Sequence, residues 1–167
     1  NNLLSIFLHK GIISIAWVDM TSGLIKLERI EGKNFLQYLT ESIHKIEPGE
    51  IIVSEEIKNS KILNEKLGIF DKQISYIPHT FYDHKNNTDV INNFFDIKKI
   101  QSLADLNQTD IAVIGALINY LKLTQKNNIP KIRNVEIVSR EKFMQIDMFT
   151  LKSLEIFERY DGVKKGS

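Results

Sequence analysis

IAVIGALINYLKLTQ, residues 111–125, decides the fold of this chain. The run is apolar on almost every face of a helix, so such a helix must be nearly surrounded by protein. Thr109 and Asp110 stand just before it, with oxygens suited to cap the free N–H groups of a helix start. Ala112, Gly115, Ala116 and Asn119 recur at helical spacing as a strip of small residues. Such a strip lets another backbone come close, even though glycine inside a helix costs about 1 kcal/mol. The spacing therefore predicts a packing seam. Asn127 and Asn128 tolerate the helix exit, and Pro130, lacking a backbone donor, keeps the helix from resuming.

Downstream, 135–138 and 143–146 have the β-branched and aromatic content of extended segments, with Ser139, Arg140 and Glu141 polar between them. Asp147 then reads as an N-cap of a helix that buries Met148, Leu151, Leu154 and Phe157 on one stripe and carries Glu155 and Arg159 four apart on its outer side. Upstream, 3–8, 12–19 and 24–30 are extended runs separated by His9-Lys10-Gly11 and Thr21-Ser22-Gly23, turns short enough to favour an antiparallel meander. Phe35, Leu39, Ile43 and Ile46 repeat at helical spacing until Pro48-Gly49, and 51–53 reads as a strand covered on both faces. A helix over 59–67 ended by Gly68, a strand over 73–77, a polar loop over 78–87 and a short helix over 90–95 complete the order. Pattern alone gives an α/β domain with a mixed sheet.

Composition narrows the function. A chain of 167 residues with 43% hydrophobic and 26% charged side chains suits one compact domain plus an appendage. A net charge of +1 supplies no global basic field for autonomous nucleic-acid binding. The absence of cysteine removes disulfides, thiolate metal sites and a cysteine nucleophile, and a reducing cytoplasm is the natural setting. No apolar run is long enough to span a bilayer as a helix. The chain begins Asn1-Asn2 and stops soon after a helix onset, which is how a piece of a longer protein reads.

Gly115, Ala116, Leu117, Ile118, Asn119, Tyr120 and Leu121, followed by Thr124, Gln125, Ile129 and Pro130, resemble the last helix and exit of the connector domain in the MutS family of DNA mismatch-repair ATPases. Asp147, Thr150, Leu154 and Glu155 resemble the opening of that family's core domain. Val18, Asp19, Met20, Thr21, Ser22 and Gly23 are similar to a hairpin near the connector's start. Three blocks in the right order cover nearly the whole chain. The resemblance implies an RNase H-like connector domain over 1–130, a linker with short strands over 131–146, and the truncated first helix of the core, or lever, domain over 147–167. It implies an antiparallel meander followed by alternating helices and strands, with a C-terminal helical extension.

The same resemblance implies a module without its own chemistry, coupling mismatch-binding and core domains and offering part of the surface that recruits a MutL-type protein. Its parent would bind mismatched DNA as a dimer in the bacterial cytoplasm and use ATP and magnesium, for which this sequence holds no phosphate-binding Gly-x-x-x-x-Gly-Lys-Ser/Thr loop. Candidate partner-binding residues are Asp89, Asn92 and Asn93 on the short helix, with Lys122, Thr124, Gln125 and Lys126 at the end of the long one. Lys164 and Lys165 read as solvated charges within reach of DNA phosphates in the parent. The rival reading is a metal-dependent RNase H-like nuclease acting on DNA, for which Asp19, Glu55, Glu56 and Asp110 are the available carboxylates. Two-metal chemistry needs three or four of them to converge on ions about 4 Å apart. Singly, Asp19 opens a turn, Glu55 and Glu56 flank a strand end, and Asp110 belongs to a cap. His79, Asp83 and His84 lack the spacing of a helical zinc pair and read as a solvated loop. Ser14 and Ser54 lie in strand-like runs with no glycine elbow.

Overall fold

A computed structural model describes residues 2–19, 21–95 and 105–138. Strands β1 (Asn2–His9), β2 (Ile12–Asp19) and β3 (Leu24–Ile30) form the expected antiparallel meander. Its first turn has two residues, Lys10 and Gly11, both at positive φ (51° and 77°), as a tight hairpin turn between right-twisted strands requires. Helix α1 (Phe35–Ile46) buries Leu39 and Ile43 and ends at Glu47, a left-handed residue whose N–H bonds to Ile43. The break therefore precedes the Pro48-Gly49 pair, which opens strand β4 (Pro48–Ser54). A 3₁₀ turn, helix α2 (Lys61–Leu67), a second 3₁₀ turn and strand β5 (Ile74–Ile77) follow.

Helix α3 (His84–Phe94) starts well before the short helix expected at 90–95. Asp83 caps it by accepting from Asn86 N–H at 3.0 Å, and the residue that faces inward from its first turns is a buried asparagine, Asn87. Helix α4 (Gln108–Gln125) is buried throughout 109–118. Its cap is Asn107, not Thr109. Asn107 Oδ1 accepts from Asp110 N–H at 2.8 Å, and Asp110 Oδ2 accepts from Asn107 N–H at 2.9 Å, a closed capping box. Strand β6 (Asn134–Val138) lies in the segment read as a linker, and it joins the sheet parallel to β3. The expected strand at 143–146 and helix at 147–167 lie outside the described residues.

The sheet runs β5-β4-β1-β2-β3-β6, parallel except at the two pairings of β2. Side chains alternate between its faces. Leu4, Ile6, Ile13, Ile15, Ile51 and Val53 pack under α1 and α2. Phe7, Ala16, Val18, Leu27 and Ile52 pack under α3 and α4. Three layers result, with α4 laid across β1, β2 and β3. Among the described residues no helix is long and apolar enough to cross a membrane.

The predicted seam exists. Gly115 lets α4 approach Asn87, whose Nδ2 donates to Phe81 O at 2.9 Å and Ala112 O at 3.1 Å while its Oδ1 accepts from Asn119 at 3.2 Å. At the other end of this face, Asp110 is fully buried and accepts from Ser14 Oγ at 2.7 Å and from Arg29 Nε at 2.8 Å, so the start of α4 is tied to β2 and β3.

Candidate functional site

Asp89, Asn93, Lys122, Thr124, Gln125 and Lys126 are exposed and Asn92 is half-buried. The structure brings the two groups together, because α3 and α4 run side by side in the same direction. Asn87 meets the first half of α4, and farther along Lys122 Nζ lies 5.8 Å from the centroid of the Phe94 ring, a cation–π contact between the last turns of both helices. The two groups therefore stand on neighbouring parallel helices, the second of them buried throughout 109–118.

The carboxylates of the nuclease reading do not converge. β1 and β4 are parallel and β2 is antiparallel to β1, so Asp19 lies at the Asn2–Pro48 end of the sheet and Glu55 beyond the opposite end. The seven residues of β4 between these ends span about 20 Å at about 3.3 Å per residue. Asp19 Oδ1 accepts from Thr21 and Ser22 N–H at 3.0 and 3.3 Å, and Lys26 Nζ lies 3.2 Å from Oδ2. Partial burial works to raise its pKa, but the Lys26 and backbone donors outweigh it and hold the group below the usual carboxylate range. Glu56 pairs with His79 at 2.6 Å, and Asp110 is locked by Arg29 and Ser14.

Each carboxylate therefore has a structural partner or stands apart. Asp19→Ala is expected to lower unfolding stability at pH 7 by about 1 kcal/mol through loss of the turn and the ion pair. A depressed folded pKa contributes stability above the unfolded value of about 3.9, which is lost as pH falls through the folded one. The deficit measured by urea titration should shrink toward pH 2. A deficit that is the same at both pH values would contradict the pairing.

Residues that sequence spacing did not connect meet at the carboxyl ends of β1, β4 and β5. After β4 the chain passes to the α1–α2 face, and after β5 it passes to the α3–α4 face, so a crevice opens between. A cleft of about 590 Å³ there is lined by His9 at the end of β1, His79 in the 3₁₀ turn His79–Tyr82, His84 on α3 and Gln108 on α4. Its floor is Phe7, stacked on Tyr82 with centroids 4.8 Å apart and planes at 7°. Tyr82 donates from its hydroxyl to Ile52 O at 3.1 Å. Burial pushes that hydroxyl above the usual phenol range against the opposing bond to Ser5, so it stays a neutral donor. His79 and His84 are not simply a solvated loop. They meet His9, which sheet register and the packing of the 3₁₀ turn and α3 bring to them.

Residues 1–133 match the family described as MutS domain II. The DNA mismatch repair protein MutS of Orientia tsutsugamushi strain Boryong is 32% identical over the whole chain, and that of Rickettsia typhi is 29% identical over 95% of it. The chain spans only 18% and 17% of those two proteins. In fold it is similar to the fowlpox virus resolvase solved with Holliday junction DNA, at a TM-score of 0.52, 21% identity, and coverage of 76% of this chain and 99% of that one. That likeness shows an RNase H-like architecture. With the family matched over 133 of 167 residues and a relative aligned along the whole of this chain, the chain belongs to the MutS family of DNA mismatch-repair proteins.

Proposed function

We propose that this chain is a non-catalytic connector and interaction module within a longer MutS-type ATPase, joining its mismatch-binding and core domains and forming part of the surface that recruits a MutL-type protein. The observation that supports this reading is the packing of α3 beside α4, with Asp89 and Asn93 exposed on the one and Lys122, Thr124 and Gln125 on the other, followed by exposed Lys126, while the opposite faces of both helices are buried. A polar surface on a rigid support is suited to transient, electrostatically guided docking. ATP and magnesium would act elsewhere in the parent, mismatched DNA would be held by the parent as a whole, and the setting would be the bacterial cytoplasm.

The test uses the full-length protein carrying this domain. Reversing charge with Lys122→Glu and Lys126→Glu is expected to slow MutL association about fivefold or more, with the loss reduced at high salt. MutL association at the unaltered rate would remove this surface from the recruitment site.

A further inference from the structure

Three of the chain's four histidines line the end-of-sheet cleft, although they come from β1, a 3₁₀ turn and α3. The fourth, His44, sits edge-on to Phe70 on the opposite face of the sheet. The His9 ring is parallel to Phe7 within 8° at 6.4 Å between centroids, and His79 is tilted by 40° at 5.7 Å. Aromatic rings therefore make a platform, and Asn86 and Gln108 add amide donors and acceptors at its rim. A second hollow of about 330 Å³ shares Phe7, His9 and His79 and is lined on its far side by Lys10, exposed at the tip of the β1–β2 turn.

The chemistry of this lining selects among ligands. A hydrocarbon would cover the imidazoles and amides without pairing them, which is unfavourable. Among the described residues no three histidine or acidic side chains are grouped closely enough to hold one metal ion. A planar heterocycle satisfies both parts of the lining, its face on the rings and its hydrogen-bonding edge on Asn86 and Gln108. The nearby carboxylates are engaged, Glu56 with His79 at 2.6 Å and Asp83 with Asn86 N–H at 3.0 Å, which leaves Lys10 to meet an attached phosphate. A volume of about 590 Å³ admits a ligand of nucleotide size.

We propose that this cleft binds one unstacked nucleotide, with its base over Phe7, His9 and His79 and its phosphate toward Lys10. The nucleotide is either a free mononucleotide or one unit of a single strand. The site is separate from the proposed MutL-facing surface, which lies at the other ends of α3 and α4.

The experiment titrates the 167-residue chain, labelled in its histidine rings, with AMP, with a short single-stranded adenine oligonucleotide and with the matching duplex, and follows the four imidazole signals by NMR. The expected result is saturable movement of the His9, His79 and His84 signals while His44 stays still. His9→Ala should weaken binding about tenfold, as loss of a stacking ring does. Gln108→Leu, an exposed change at a helix start, should weaken it several-fold and stands in if the first variant does not fold. An oligonucleotide at least tenfold tighter than AMP assigns the site to a strand, and AMP equal to or tighter than it assigns a free nucleotide. Absence of movement up to about 10 mM AMP and a comparable nucleotide concentration of the strand overturns the proposal. Equal movement of His44, preference for the duplex, or undiminished binding by the folded variants does so as well.

Discussion

Gly115→Ala is expected to lower the unfolding free energy by about 3 kcal/mol, although alanine is the better helix former by about 1 kcal/mol. A Cβ at this position would fall inside the Asn87 side chain, well within van der Waals contact. Asn87 is 0% exposed and satisfies two carbonyls and Asn119 at once, so displacing it strands several buried polar groups. Urea unfolding measures the loss. Asn87→Ala would leave the Asn87 Cβ within the clash, whereas adding Asn87→Gly to Gly115→Ala removes every Asn87 side-chain atom that the new Cβ meets, so that double variant should be more stable than the sum of the two single losses predicts. Strict additivity, or a wild-type midpoint for Gly115→Ala, would show that the helices do not meet there.

Arg29→Ala should cost about 3 kcal/mol as well. Asp110 has no exposed surface, and the Arg29 guanidinium, at 2.6 Å, is its cationic partner. Removing one side of such a pair leaves an uncompensated charge in the interior, which typically costs about 3–5 kcal/mol. Arg29 is about a third exposed, so water entering its place lowers the expectation to the bottom of that range. Asp110→Asn in the Arg29→Ala background removes the stranded charge and is expected to recover part of the loss. If Arg29→Ala unfolds at the wild-type urea midpoint, the ion pair does not stabilise the fold.

The elements most legible in the sequence were those fixed by local chemistry. Short turns at His9-Lys10-Gly11 and Thr21-Ser22-Gly23 leave the first three strands little choice but to fold back on each other. The apolar run at 111–118 could exist as a helix only inside the molecule. The start of α3 was hidden because its first turn, His84, Lys85, Asn86 and Asn87, holds no apolar residue, and its inward position is taken by an asparagine satisfied by partners far away in sequence. The cap is Asn107, whereas Thr109, the residue whose hydroxyl suggests a cap, lies within the helix and is buried. The asparagine and Asp110 are three residues apart, the spacing of a capping box, so that signal was present. The cleft was illegible for another reason. His9, His79 and Gln108 are brought together by sheet register and helix crossing, to which no local window has access.

Strands β1 and β6 point the same way, since β6 is parallel to β3 and β3 is separated from β1 by two antiparallel steps. A force pulling residue 2 away from residue 138 therefore acts lengthwise along the ladders that join the interior strand β1, through β2 and β3, to the edge strand β6. Ladders loaded in shear must break many bonds together, whereas a hairpin pulled at one end unzips singly. The domain is built as a strut, stiff along the line on which its two ends would tug.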